Sequence, residues 1–309
     1  NAPFLGAGGS YQTLFDSLSL GVLSVAFNQG AWKPALERVE QESRRLAQYG
    51  VTDAELQREI TEGRTALQNA VATAATRSTP ALAAGLLNAV NEDDVFSTPA
   101  TALAIFDQTV EGLTADQVNT AVRAVFEGGG PLVLFTSPVP IEGGEAAVTA
   151  ALEASRATSV EAPAAQAQLE WPYADFGTPA TPASRTEVAD LGLTLVTFAN
   201  GVKLTIKPTD FRDEQILVTA RTGIGELALP TDRATSMAFA STVMGPGGLG
   251  KLTADELNRV LAGRVFSVGV SQATEAYVFS GATRPEDLQL EMQVLTAYLT
   301  DPGLRAAPF

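Results

Sequence analysis

From Leu195 to Lys207 apolar and polar positions alternate with a period of two around an Asn200-Gly201 pair. This predicts a β-hairpin, because a two-residue type I′ turn needs positive φ at both centres and Asn-Gly tolerates it best. Such a turn sets Ala199 opposite Val202, Thr197 opposite Leu204 and Leu195 opposite Ile206 on a core face, with Lys203, Thr205 and Lys207 on the other. Pro208 ends the second strand by removing a ladder donor. Gln215 to Ala220 follows as a third apolar strand, so an antiparallel sheet, and with it a domain, opens here.

Before the hairpin, Phe4 to Leu14 and Phe15 to Phe27 suggest two antiparallel strands, and the pattern then turns helical. Pro34 opens a helix with Leu36, Val39, Leu46 and Ala47 on its apolar side and Gly50 as its stop. Thr52-Asp53-Ala54-Glu55 is a capping box for a long helix carrying Leu56, Ile60, Leu67 and Val71. Thr79-Pro80 and Thr98-Pro99 begin two more helices. Thr114 to Gln117 caps another, with Val118, Val122 and Val125 inward, and Pro131 to Thr136 reads as a buried strand. Gly128-Gly129-Gly130 between them is most simply a helix stop.

Residues 139–187 differ in kind: Ala, Pro, Glu, Ser and Gly dominate, which predicts an extended linker. Its aromatics cluster in "LEWPYADFG", where Trp171, Tyr173 and Phe176 would pin the linker onto a domain surface, with a recognition motif as the alternative. Beyond the hairpin, Thr253 to Glu256 caps a helix with Leu257, Val260 and Leu261. Strands are expected near Arg264 to Val270 and Glu275 to Ser280. Thr283 to Glu286 caps a last helix whose apolar side reads as Leu288, Met292, Leu295 and Leu299. "LTADQVN" at 113 and "LTADELN" at 252 look like a repeat, but capping boxes draw on the same few residues and the flanks diverge. The sum is α+β: a sheet-plus-helix domain over 1–138, a linker over 139–187 and a second such domain over 188–309.

Composition narrows the chemistry. With 35 acidic against 20 basic side chains the net charge is −15, which repels phosphate backbones and argues against a nucleic-acid partner. No apolar run reaches the roughly 18 residues of a membrane helix. Cysteine and histidine are both absent, which excludes disulfides, thiolate nucleophiles, imidazole ligands and Ser-His-Asp arrangements. The opening "NAPFLGAGG" has neither an initiator Met nor a signal-peptide pattern and reads as the start of a piece of a longer protein.

Two motifs invite a site. "GPGGLGKLT" at 245–253 fits a phosphate loop at Gly245, Gly250 and Lys251, but Leu252 stands where a Mg²⁺-binding hydroxyl belongs, and Thr253 already serves as an N-cap. A loop between helices is the better reading. "NEDDVF" at 91–96 gathers three carboxylates without the alternate oxygen ligands and glycine turn of a calcium loop, so an exposed charge cluster is favoured.

The order of "ANGVKLTIKPTDF", "ARTGIGE", a helix, the Gly-rich loop, "LTADELNRVLAG" and "TEAYVFSGATRPEDLQLEMQVLTAYLTDP" resembles the opening of a half-domain of the insulinase/pitrilysin peptidases. These are the zinc enzymes with the inverted H-x-x-E-H motif, here in their long bacterial form of two homologous halves. "YGVTDAELQREITEGRTAL" resembles the later part of the family's second domain. The resemblance implies two domains of the metallopeptidase αβ-roll type, with the hairpin opening the third, non-catalytic one. In an active half the helix after "RTG" would supply two zinc-binding histidines and a glutamate base. Here that stretch is Ala234 to Met244, "ATSMAFASTVM", without an ionisable side chain. No catalytic or metal-ligating residue is therefore assigned in this chain, its substrate-binding residues are unknown, and neither Arg221 nor Glu226 is taken as a ligand. The resemblance further implies zinc in the full-length protein, a peptide or unfolded-protein substrate enclosed between halves, a catalytic half elsewhere in the same chain, and a periplasmic setting. An inactive homologue serving as a subunit or peptide-binding scaffold is the alternative.

Overall fold

The computed structural model describes residues 4–14, 17–127, 132–164, 169–228, 232 and 240–305. In chain order its elements are β1 (Gly6–Leu14), β2 (Leu18–Ala26), α1 (Trp32–Tyr49), α2 (Asp53–Ala72), α3 (Thr79–Asn91), α4 (Pro99–Val110), α5 (Ala115–Phe126) and α6 (Gly144–Ala157). Then come β3 (Pro182–Val188), β4 (Leu193–Phe198), β5 (Lys203–Ile206), β6 (Ile216–Thr222), α7 (Ala240–Gly247), α8 (Ala254–Val260), β7 (Gly269–Ala273), β8 (Ala276–Thr283) and α9 (Leu288–Thr300). The class is α+β, as the pattern predicts. Contacts group the chain into two compact units, Asn1–Ile60 with Thr109–Gln168, and Thr61–Gln108 with Leu169–Phe309.

In the first unit β1 and β2 pair antiparallel from Gly6↔Ala26 to Leu14↔Leu18, and α1 packs on β2, α5 and α6. Gly21 lets α5 approach the ribbon, since a Cβ there would lie 2.8 Å from the Val125 side chain. Helix α1 stops at Gly50, whose φ of 70° favours glycine. The chain re-enters α2 through the expected box, with Thr52 N–H donating to Glu55 Oε2 at 2.8 Å and Glu55 N–H to Thr52 Oγ1 at 3.2 Å. Asn119 of α5 holds the break between the helices: its Oδ1 accepts from Val51 N–H at 2.6 Å and its Nδ2 donates to Val51 C=O at 3.0 Å.

Two expectations fail in this unit. The stretch 139–187 is not extended throughout, because Gly144–Ala157 forms α6. Its Ala-rich composition, read as lacking a core, suits a helix that needs only a narrow seam. That seam is polar and closed: Arg44 is bidentate to Glu40, Ser155 Oγ donates to Glu40 Oε2 at 2.6 Å, and Arg44 reaches the Ser155 carbonyl at 2.9 Å. Burial alone would raise the Glu40 pKa, but the hydrogen bonds from Arg44 and Ser155 outweigh it and hold the carboxyl below its ordinary value. The strand expected over 131–136 is not observed in its described part, 132–136, where Leu132 and Leu134 are exposed. Instead Phe135 anchors the segment between Phe27 and Trp32, with ring centroids at 5.4 and 5.7 Å.

The second unit holds two three-stranded antiparallel sheets, β3-β4-β5 and β6-β8-β7. The third strand predicted after the hairpin therefore belongs elsewhere: β6 pairs with β8, from Ile216↔Thr283 to Thr222↔Tyr277, and the hairpin's own third strand is β3, upstream. The hairpin register is also one residue off the expectation, since Val196 faces Leu204 and Phe198 N–H bonds Val202 C=O. The loop is three residues, Ala199-Asn200-Gly201, with Gly201 at φ 86° closing it and Asn200 Oδ1 accepting from Val202 N–H. Because the slip flips the pairing, Val196, Phe198, Val202, Leu204 and Ile206 share one face, and Leu195 lies on the other. That apolar face is not a closed core, as Val202, Leu204 and Ile206 remain exposed.

The unit's core lies between β8, α9 and the turn before α8, where Leu249, Leu252, Leu257, Phe279, Val294 and Leu295 are buried. The inward side of α9 is Glu291, Val294, Leu295 and Tyr298, whereas Met292 and Leu299 are each 42% exposed. The predicted side, which paired Met292 and Leu299 with Leu295, is turned by about one position because the inward row contains a glutamate. Of the predicted strand over 264–270, Phe266 makes one bridge to Thr283 and the ladder begins only at Gly269.

Candidate functional site

The Gly-rich segment is a closed turn with no room for phosphate. After α7 ends, Gly248 takes φ 66°, and any Cβ there would collide with the Leu252 carbonyl. Every backbone N–H from 248 to 253 already donates within the protein: Gly248 to Gly245, Leu249 to Leu252, Gly250 to Asp301, Lys251 to Tyr173, Leu252 to Leu249 and Thr253 to Glu256. A phosphate loop works by presenting such groups unpaired. Lys251 Nζ lies 4.8 Å from the centre of the Tyr173 ring. Thr253 caps α8 with Glu256 in a full box, matching the role of Thr114 with Gln117 on α5, so the repeated "LTAD" marks one local device used twice.

The turn is held by two side chains, Tyr173 and Arg305. Tyr173 Oη donates to Asp301 Oδ2 at 2.7 Å while accepting from Lys251 N–H at 2.8 Å, and burial raises its pKa. The Arg305 guanidinium donates to the carbonyls of Gly247, Leu249, Gly250 and Leu252. Trp171 Nε1 reaches Gln293 on α9 at 3.0 Å. Trp171 and Tyr173 thus do pin their segment to the domain, as packing predicts, and Phe176 stays 43% exposed.

Most of the stretch aligned with a zinc helix lies outside the described residues, which resume at Ala240 with α7. Gly128 to Gly130 lie outside them as well. Among the described residues no group of three or more His, Cys, Asp or Glu side chains could hold a metal ion. Arg221 ends β6 at 3.5 Å from Glu275, and Glu226 is exposed in a short 3₁₀ turn. The carboxylates of 92–94 are exposed beyond the end of α3.

What the sequence does not signal is an open cavity of about 960 Å³ in the second unit, lined by Glu62, Thr65 and Asn69 of α2 together with Asn258, Ser267 and Tyr298. Its polar groups come from four distant segments, each unremarkable alone. Its size suits a peptide side chain or a small molecule. Its lining carries one carboxylate, Glu62, and the hydroxyls of Thr65, Ser267 and Tyr298.

Fold and site together describe an α+β scaffold with an open cavity whose polar lining comes from four segments. Comparison with solved structures bears on the first half of that statement. The chain is similar to a mutant of the ferredoxin protease FusC, solved in complex with Arabidopsis ferredoxin, at 14% identity and a TM-score of 0.51, over 96% of this chain and 34% of that one. It also matches the periplasmic protease PqqL from Escherichia coli at 17% identity and a TM-score of 0.43, over 96% of this chain and 33% of that one. The chain thus spans about a third of the length of either protease. No family model matches the sequence, and no curated protein matches it. The FusC likeness shows that this chain shares the fold of part of that protease, in line with the fold the sequence resemblance implies.

Proposed function

We propose that this chain is an internal, non-catalytic segment of a zinc-dependent metalloendopeptidase and forms wall and substrate-enclosing surface of its reaction chamber. The observation that carries this reading is the fold likeness to FusC, which takes in nearly all of this chain and only a third of that protease. In keeping with it, the sequence from 234 to 244, where an active half would carry its histidines, has no ionisable group. The substrate is a peptide or unfolded protein, consistent with the protein captured by FusC in its crystal. The open cavity and the uncovered apolar face of the β4-β5 hairpin supply surfaces for such a chain or for the catalytic half of the same polypeptide. The setting in this reading is the periplasm, and no described helix is long and apolar enough to cross a membrane.

The test is made on the full-length protein. Changing the glutamate of its H-x-x-E-H motif to glutamine removes the general base while keeping the histidine ligands. Loss of turnover with zinc retained supports the reading. A full-length chain that lacks the motif, or carries it and cleaves no peptide, assigns the protein to inactive homologues that serve as subunits or peptide-binding scaffolds.

A further inference from the structure

Among the described residues, Glu291 is the one buried carboxylate of the second unit without a hydrogen-bond partner. The residue is 0% exposed and neither Oε1 nor Oε2 has a hydrogen-bond partner. It lies on the inward side of α9 against β8, where Gly281 makes the room: a Cβ at 281 would collide with both the Ser267 carbonyl and Glu291 Oε1. A buried acid one turn earlier behaves differently. Asp287 accepts from Val265 N–H, Arg284 and Arg264, which outweigh the effect of burial and keep its pKa below the ordinary value. These two arginines are committed to Asp287, Arg221 is committed to Glu275, and Tyr298, two turns along α9, is itself buried and neutral. From β8 the residue meets glycine, from the 264–268 segment a backbone carbonyl, and the polar side chain of β7 on the face shared with Phe279 and Gly281 is the uncharged Gln272. No cation faces the carboxylate among the described residues.

We propose that Glu291 makes the docking of α9 on the β6-β8-β7 sheet depend on a proton: the helix stays docked with a neutral carboxyl, and ionisation drives it outward until the carboxylate reaches water. An unpaired buried charge is the state the protein avoids, because desolvation is not repaid by any partner. Ser267, whose carbonyl borders the space at Gly281 beside Glu291 Oε1, and Val294, one turn along α9, both line the open cavity, so an outward movement of α9 hydrates the group and reshapes that cavity. Burial raises the Glu291 pKa from 4.5 to about 7. A raised folded pKa means that the stabilisation is complete below 4.5 and is lost as pH climbs through about 7.

Hydrogen exchange of the α9 and β8 amides tests this in the 309-residue chain. After correction for intrinsic rates, protection in the native protein should fall by up to on the order of a hundredfold between about pH 5 and about pH 8. In Glu291→Gln it should stay level. An equal fall in the variant, or a level profile in the native chain, overturns the proposal. Should the variant fail to fold, ¹³C-detected titration of the glutamate carboxyls in the native chain decides: one signal titrating near neutrality supports it, and all of them titrating in the usual carboxylate range overturns it.

Discussion

Asn119 ties three helices with one amide. Both of its polar ends bond Val51, the residue that separates α1 from α2, although its own helix is far away in sequence. Gly50 completes the joint, since a Cβ there would strike the Asn119 amide and its φ is positive. Replacing Asn119 by Ala leaves the N–H and C=O of the half-buried Val51 without this partner and should cost about 1–3 kcal/mol in urea unfolding. Gly50→Ala should cost at least as much, because collision and backbone strain act together; an unchanged midpoint for both variants would show that the joint carries no stability. The glycine was readable from sequence as a helix stop, whereas its asparagine partner was not. An Asn mid-helix signals nothing until tertiary contact supplies the backbone it binds.

The helix ends were the most legible elements, and their faces the least. Thr52, Thr114 and Thr253 cap as their boxes predict, because an N-cap is satisfied by residues within one turn, whereas Thr283 donates to the Val265 and Arg284 carbonyls and does not cap α9. Strand register and the α9 face depend on remote partners. The Asn-Gly pair fitted either a two- or a three-residue loop, and the longer one turned the sheet over. On α9 the glutamate concealed the inward row. The corrected face makes a contrast that the predicted one does not: Leu295→Ala should cost about 2–5 kcal/mol, as for a filled core site. Met292→Ala should stay within about 1 kcal/mol. Equal costs measured by chemical denaturation would restore the face read from sequence. Helix α6 was missed for a related reason, since its seam with α1 rests on Glu40, Arg44 and Ser155 and not on large apolar residues.

Across the whole molecule, the α+β class was visible in the sequence, and the likeness to FusC over about a third of that protease agrees with it. For the site, the sequence offers only an expectation from composition: a chain without histidine or cysteine has only carboxylates to offer zinc. The open cavity was not legible, because it forms from segments that meet only on folding. The central claim is that this chain encloses a substrate while chemistry occurs elsewhere in the full-length protein. The most direct measurement sets the 309-residue chain beside the full-length protein, with bound zinc and hydrolysis of an unstructured peptide followed in both. The account predicts less than stoichiometric zinc and no cleavage for the chain alone, against one zinc and chelator-sensitive cleavage for the whole. Tight zinc binding or peptide hydrolysis by this chain by itself would contradict it.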